Sequence, residues 1–128
     1  MKITEKEIES VSKLEPMKRY QYFIKRVADT EKMYTLVDEE DDWVISEVEG
    51  SAVFSLWSAP EFAGQCIFGE WRDCSVQEIS LEYFEDEVID EIETKNYLLN
   101  IFSVNGKSGF VVDINEFARD LSDEMKNY

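Results

Sequence analysis

The chain has 128 residues, of which 44% are hydrophobic, and its formal net charge is -16 at pH 7. This length and apolar content indicate one folded domain over residues 1–128 and exclude a compositionally disordered chain. The acidity argues against binding to nucleic acid or to an anionic membrane, because both are bound chiefly through cationic side chains.

Two helices are predicted near the N-terminus. Thr4 and Glu7 have the spacing of a capping box, so the first helix begins there and ends before Pro16, where the second helix begins. The second helix has an apolar arc that runs from Met17 to Ala28. We expect the opposite face to be solvated and basic. That face carries Lys18, Arg19, Lys25 and Arg26.

The predicted location is the cytoplasm. No run approaches the roughly 20 apolar residues of a membrane span, and the first ten residues lack the apolar centre of a signal peptide. Cys66 and Cys74 are the two cysteines of the chain. In a reducing compartment we expect them to be free thiols, most simply as partly buried small side chains.

Strands follow the two helices. The segments 33–37, 43–48 and 51–57 are rich in β-branched and aromatic residues, and their short connections predict three antiparallel neighbours. Pro60 then begins a short helix, and 75–80 has the pattern of a short edge strand. Of the tryptophans, we expect Trp43 and Trp57 to be core residues and Trp71 to be a contact residue in an irregular loop.

The last third of the chain predicts a helix, a hairpin and a second helix. One apolar stripe is expected on the first helix, because its apolar residues recur at spacings of three and four. Asn105-Gly106 between two apolar runs indicates a tight hairpin turn, and Asp113 is placed to cap the final helix. The stripe consists of Leu81, Phe84, Val88 and Ile92. The whole pattern predicts an α+β domain in which helices pack on an antiparallel or mixed sheet of five or six strands.

Few residues of the chain suggest catalysis. There is no histidine, which excludes imidazole-based nucleophilic, acid/base and zinc chemistry. Gly106-Lys107-Ser108 resembles the end of a phosphate-binding loop, but a predicted strand follows it where that loop requires a helix. With 29 Asp and Glu residues, the sequence offers chance carboxylate pairs and nominates none of them. We therefore predict no cofactor and no catalytic residue.

The acidic segment 38–42 allows two interpretations. Its acids and Glu49 match ligand positions of a calcium-binding EF-hand loop, but Trp43 stands where that loop requires glycine, and the flanks are predicted strands. We favour a β-turn that carries solvated acids. The matching residues are Asp38, Glu40, Asp42 and Glu49.

Several motifs together resemble a known family. They are YFIKRVAD in the second helix, FSLWSAPEFAG in the third strand and the helix after it, EISLEYFEDE in the fourth helix, and NIFSVNGKSGFVVDINEF in the hairpin and final helix. The chain from about residue 18 to residue 122 is similar to the bacterial DUF2750 family of uncharacterised proteins. Relatives tend to carry Trp in the first strand and Gly-Trp in the second, where this chain has Tyr34 and Asp42-Trp43. These departures leave the expected fold unchanged. The resemblance implies a domain extent and provides no catalytic residue.

Charge is unevenly distributed along the chain. Residues 1–32 contain eight Lys or Arg and six Asp or Glu, whereas residues 33–94 contain eighteen acids and only Arg72 as a base. We therefore predict a non-catalytic protein-binding module, immunity-like or regulatory, whose partner is a basic protein. No oligomeric state is predicted. The residues expected at the binding surface are Asp38, Glu39, Glu40, Asp41, Asp42, Trp71 and Arg72.

Three alternatives remain open at this stage. Acidity can serve solubility alone, without a partner. Carboxylates in a cleft could make the protein a small-ligand binder or a carboxylate-based enzyme. An exposed edge strand could pair with a second copy of the chain in a structural assembly.

Overall fold

The computed structural model describes residues 3–127. Its helices are α1 (Glu5–Ser12), α2 (Pro16–Thr30), α3 (Pro60–Gly64), α4 (Leu81–Tyr83), α5 (Ile89–Lys95) and α6 (Ile114–Met125). Its strands are β1 (Lys32–Val37), β2 (Ile45–Val48), β3 (Ser51–Leu56), β4 (Ser75–Ser80), β5 (Leu98–Ile101) and β6 (Phe110–Val112). A 3₁₀ turn covers Gly69–Trp71, and a π-helical turn, Phe84–Val88, joins α4 to α5. The predicted α+β class is confirmed.

Local hydrogen bonds begin the helices where the sequence predicts. The Thr4 hydroxyl oxygen accepts a hydrogen bond from the Glu7 N–H at 3.1 Å, and an Asp113 carboxylate oxygen accepts one from the Glu116 N–H at 2.8 Å. Pro16 occupies the first turn of α2, where its missing N–H costs no helical hydrogen bond. The predicted starts of α1, α2 and α6 are therefore confirmed.

The six strands form a mixed arrangement. A four-stranded sheet has the order β2-β3-β5-β6, in which β3 and β5 are parallel and the other neighbours are antiparallel. β1 and β4 form a separate antiparallel pair. The prediction of antiparallel or mixed pairing among five or six strands is confirmed, and these strands are divided between two sheets.

The prediction that the first three strands are successive neighbours is right for β2 and β3 and wrong for β1. The long ladder of β1 is made with β4, and β1 meets the next two strands only through the isolated bridges Tyr34–Trp57 and Val37–Trp43. β3 folds back onto β2 through a two-residue turn and pairs with it from Ile45 onward. β1 meets only the start of β2, where the Val44 N–H donates to the Leu36 carbonyl oxygen.

Both tight turns of the four-stranded sheet have the geometry that favours a hairpin. Glu49 and Gly50 have φ values of 49° and 84°, and Asn105 and Gly106 have values of 53° and 77°. Two successive positive φ angles give a turn whose twist matches the twist of the flanking strands. The Asn105-Gly106 turn is thus confirmed.

The core lies where α2, α6 and the helix from Leu81 to Lys95 meet the sheet. All four residues of the predicted stripe, Leu81, Phe84, Val88 and Ile92, are buried. Phe117 of α6 contacts Phe84 and Phe23, with ring centroids 5.8 and 6.0 Å apart. None of the helices in residues 3–127 is long and apolar enough to span a membrane.

Two side chains of α2 are found in environments opposite to those predicted. Arg19, expected on the solvated basic face, is 6% exposed, and its Nε donates a hydrogen bond to the Phe102 carbonyl oxygen at 3.0 Å. Its guanidinium also donates to the Leu14 carbonyl oxygen, because its long apolar stem lets the charge reach polar atoms at the edge of the core. Met17, expected in the apolar arc, is 47% exposed, because the buried part of α2 begins one turn later, at Arg19 and Tyr20.

Candidate functional site

The acidic segment between β1 and β2 is a closed turn. The Asp41 N–H donates to the Asp38 carbonyl oxygen at 3.0 Å, and Asp41 has a φ of 63°. One carboxylate oxygen of Asp38 accepts hydrogen bonds from the N–H groups of Glu40 and Asp42 at 2.9 and 3.1 Å. The geometry is therefore that of a turn with exposed acids, as predicted. In residues 3–127 no three acidic or thiol side chains converge closely enough to hold a metal ion.

A second acidic segment, distant in the sequence, lies beside this turn. The two segments border one shallow depression, which is lined by Asp38, Glu39, Glu40, Glu70, Asp73 and Cys74. Burial raises the pKa of the Cys74 thiol, and the negative charges of Asp38, Asp73 and Glu39 raise it further. The thiol therefore experiences the field of both segments at once. The fold concentrates acids that the sequence places far apart.

A groove continues from this depression along β2. Residues 43–47 and Ala52 of β3 line one side, and Glu70 and Trp71 of the 3₁₀ turn line the other. Asp38 and Cys74 lie at its acidic end. We refer to this feature, bounded by residues 43–47 and by Asp38, Glu70, Trp71 and Cys74, as the β2 groove.

The three tryptophans differ in their surroundings. Trp57 is fully buried, and its ring N–H donates to the Ser103 carbonyl oxygen at 2.9 Å, which confirms it as a core residue. Trp43 is half-buried against Phe54, with ring centroids 5.7 Å apart. Trp71 is half-buried and meets Trp57 edge to face, with centroids 6.1 Å apart and an interplanar angle of 88°. Trp71 thus packs against a core residue while it still lines the groove.

A cavity of about 290 Å³ adjoins the groove on the other side of Trp71. Its walls include Phe68 and Trp71, its rim includes Glu47 and Lys107, and the buried residues Cys66, Asn100 and Ser103 also line it. The tripeptide Gly106-Lys107-Ser108 lies at this rim in a hairpin connection followed by β6, which is not the geometry of a phosphate-binding loop.

The polar residues of the cavity form one hydrogen-bonded network. Asn100 is 3% exposed, and its side-chain nitrogen donates to the hydroxyl oxygens of Ser103 at 2.8 Å and Ser55 at 3.3 Å. Its side-chain oxygen accepts a hydrogen bond from the Gly109 N–H at 2.8 Å. Ser103 is 5% exposed, and its hydroxyl is the donor in none of the hydrogen bonds found among residues 3–127.

The thiol of Cys66, which lines the cavity, is unreactive at neutral pH. Burial raises the pKa of Cys66 to about 11, and the thiol donates to the Ser103 carbonyl oxygen at 3.3 Å. Because the thiolate is the nucleophilic form of cysteine, Cys66 is protonated and unreactive at neutral pH. The two cysteines are free thiols, as predicted.

The structure brings together part of the predicted binding surface. Asp38, Glu39, Glu40 and Trp71 line the groove or the adjoining depression, whereas Asp41, Asp42 and Arg72 do not. The Arg72 guanidinium instead donates to the Gly69 carbonyl oxygen at 3.0 Å and lies 3.9 Å from the Asp73 carboxylate.

Sequence reasoning missed several residues of the site: Glu47, Glu70, Asp73, Cys74, Asn100 and Ser103. Two signals could have found some of them. Asn100 is a polar residue inside the apolar run from Leu98 to Phe102, and Glu70 and Asp73 flank the tryptophan that we had singled out.

Comparison with known proteins gives a family and no function. A family model described as "Protein of unknown function (DUF2750)" matches residues 20–121. Comparison with curated proteins gave no match.

Proposed function

The chain belongs to the DUF2750 family, and since that membership carries no activity, we propose from the site itself that the protein is a non-catalytic module that binds a basic protein in the β2 groove. Its role is regulatory or immunity-like: it occupies a cationic surface of another protein. The bacterial cytoplasm is the proposed setting.

The convergence of two acidic segments around one aromatic side chain carries this proposal. Asp38, Glu39 and Glu40 come from one segment, and Glu70 and Asp73 come from the other. Trp71 lines both the groove and the cavity. Carboxylates on a rim attract a cationic partner over distance, and a half-buried tryptophan supplies contact area at short range. Acidity alone would favour solubility, but it would not require this arrangement.

The mechanism is electrostatic steering followed by local contact. Opposite charge raises the association rate, and salt weakens that effect because the Debye length is about 8 Å at physiological ionic strength. The acids of the helix from Leu81 to Lys95 add to the long-range field. The groove acids act at contact, where their distance to the partner is shortest.

Side-chain chemistry favours binding over catalysis. The chain contains no imidazole, and burial keeps the Cys66 thiol protonated. Arg19, the most buried base, is committed to two backbone carbonyl oxygens. Burial and the neighbouring carboxylates raise the pKa of Cys74, the thiol that lines the groove, so it too is protonated at neutral pH.

The test compares two variants with the same net charge. In the groove variant, Glu39, Glu40 and Glu70 are replaced by Gln; in the control, Glu85 and Glu87 are replaced by Gln and Asp86 by Asn on an exposed helix surface. Affinity capture from the native host identifies the basic partner, and stopped-flow mixing measures the association rate. We expect roughly a tenfold slower association for the groove variant and less than a twofold change for the control. Equal effects of the two variants would refute the groove as the binding site.

A second candidate function rests on the Ser103 hydroxyl. A donor without an acceptor in a cavity of about 290 Å³ suits a small molecule that carries an acceptor oxygen. A thermal-shift screen of small carbonyl and amide compounds would raise the unfolding temperature of the wild type and not that of Ser103→Ala. Absence of any wild-type shift would argue against this candidate.

A further inference from the structure

One edge of the four-stranded sheet is an unpaired strand whose direction of hydrogen bonding can be deduced. β2 lies at the end of the order β2-β3-β5-β6, and Val48 and Ser51 flank the two-residue turn to β3. Residues that flank such a turn exchange hydrogen bonds, and the alternation then makes Ser46 and Val53 the next bonded pair. The backbone groups of Ile45 and Glu47 therefore point away from β3.

The start of β2 has the same alternation. The Val44 N–H donates to the Leu36 carbonyl oxygen at 3.0 Å, and the Asp38 N–H donates to the Asp42 carbonyl oxygen at 2.9 Å. The backbone N–H and C=O groups of the even-numbered residues from 42 to 48 thus point toward β1 and β3. By the same alternation the backbone groups of Trp43 point away from β1. The outward backbone groups therefore belong to Trp43, Ile45 and Glu47.

These outward groups have no backbone partner in the part of the chain that the structure describes. Trp43, Ile45 and Glu47 also line the β2 groove, together with Ala52 of β3 and with Glu70 and Trp71. An open row of N–H and C=O groups is a template for an added strand. The open edge of β2 therefore lies beside a groove that contains an aromatic ring.

The acidic residues beside this edge determine which kind of segment can bind there. Glu47 is exposed on the strand itself, and the groove ends in the acids of residues 38–40 and Asp73. A second copy of the chain would bring the same acids together and would add a net charge of -16 to an equal one. A cationic segment meets no such repulsion.

β4 and β6 also lie at sheet edges, and neither of them lines the β2 groove. The acid of β4 is moreover already bound within the chain. This residue, Glu78, accepts a hydrogen bond from the Tyr34 hydroxyl at 3.1 Å and lies 4.0 Å from the Lys32 ammonium group. The observations therefore favour β2.

We propose that the outward edge of β2 binds an extended basic segment of the partner by strand addition, an inference that rests on the proposed function and specifies how it is carried out. The bound segment pairs with Trp43, Ile45 and Glu47. Successive side chains of a strand point to opposite faces, so the segment alternates residues that face Trp71 with residues that face away from it.

The test uses two capped eight-residue peptides of equal charge. One alternates lysine with valine and can form a strand, and the other alternates lysine with proline, which cannot donate backbone hydrogen bonds at every second position. Affinity for the full chain is measured by calorimetry at low ionic strength, and amide hydrogen exchange is followed by NMR. We expect at least tenfold tighter binding of the lysine–valine peptide. The amides of Ile45 and Glu47 should become protected, while those of Ser46 and Val48 should be protected with or without peptide.

A variant adds a second readout. Glu47→Pro removes an outward N–H and leaves the bonds between β2 and β3 in place, whereas Glu47→Gln removes only the charge. We expect the proline variant to lose the preference for the lysine–valine peptide and the glutamine variant to keep it. If the proline variant does not fold, protection of the Ile45 and Glu47 amides in the wild type serves as the test of strand addition.

Three other outcomes would overturn the inference, and they separate it from the proposed function. Equal binding of both peptides without protection of Ile45 and Glu47 leaves charge attraction intact and refutes strand addition. Absence of binding by either peptide refutes the proposed function and the inference together. A peptide-free dimer in sedimentation, with these two amides already protected, would assign the edge to a second copy of the chain.

Discussion

The Nε atom of Arg19 donates a hydrogen bond to the carbonyl oxygen of Phe102 at 3.0 Å, and both residues are buried. Phe102 has a φ of 71°, a left-handed conformation that residues other than glycine rarely adopt. Its N–H donates to the Leu56 carbonyl oxygen at 2.9 Å. Arg19 thereby stabilises the chain reversal that places Ser103 beside Trp57 and the cavity.

Replacement of Arg19 by methionine should destabilise the protein by about 2–4 kcal/mol, because two buried carbonyl oxygens lose a charged donor while the side chain keeps most of its volume. Urea denaturation followed by circular dichroism measures the change. Lys18→Met on the exposed face of the same helix is the control, and we expect it to change the free energy of unfolding by less than about 0.5 kcal/mol. Similar losses in the two variants would contradict the role of Arg19.

Replacement of Gly109 by alanine should cost more than about 2 kcal/mol or prevent folding. A Cβ atom at Gly109 would lie 1.9 Å from the Ile101 carbonyl oxygen, and the Gly109 N–H is the donor to Asn100. The matched control is Gly64→Ala in α3, where no atom lies within 4 Å of the added carbon. We expect that variant to be about 0.4–1 kcal/mol more stable, measured by the same denaturation experiment. A Gly109→Ala protein as stable as wild type would mean that β5 and β6 approach less closely than described.

Stability should fall steeply above pH 10 because the pKa values of three tyrosines are raised, and the shifts of Tyr20 and Tyr22 are larger than that of Tyr34. Burial, and then a hydrogen bond to a carboxylate, raises the pKa of Tyr20 beside Asp120 and of Tyr22 beside Glu7. Their pKa in the unfolded chain is about 10, so above that pH the unfolded state loses phenolic protons that the folded state keeps. The stabilisation is fully present below pH 10 and is lost as pH rises toward the folded-state pKa. Each tyrosine should contribute about 1.4 kcal/mol per pH unit to this loss.

The measurement for the tyrosines is the free energy of unfolding in urea between pH 8 and pH 11.5, with tyrosinate absorbance as a second signal. Tyr20→Phe should flatten the decline above pH 10. Tyr83→Phe, which changes an exposed ring, should leave the slope unaltered. An unchanged slope in Tyr20→Phe would contradict the assignment.

Labelling of Cys74 by a thiol reagent should report the acidic field of the groove. Neutralisation of Glu39 by Gln, or of Asp73 by Asn, should lower the raised pKa of this thiol and increase its thiolate fraction at pH 8. We expect roughly a twofold to fivefold faster reaction at low salt and a smaller difference at high salt. Glu85→Gln on the distant helix is the control. If Glu39→Gln and Glu85→Gln give the same rate, the two acidic segments do not converge on Cys74.

Much of the local structure could be predicted because its causes are local. The capping pair Thr4 and Glu7 and the Asn105-Gly106 turn involve residues within three positions of each other, so the sequence contains the whole interaction. The stripe from Leu81 to Ile92 requires only a helical period and an apolar surface to cover. Arg19 was assigned to the wrong face because a helical wheel records direction and not the reach of a long side chain.

The sequence by itself determined the α+β class, the helix starts, the hairpin turns and the acidity of the segment around Asp38. Only the tertiary structure decided that β1 pairs with β4, that Glu70 and Asp73 join that acidic segment, and that the outer edge of β2 is open beside Trp71. The physical reason is the distance along the chain over which each interaction acts. Capping and turn preferences act between neighbours in the chain, whereas strand order and the approach of like charges depend on how the core is packed, and no periodicity in the sequence encodes that packing.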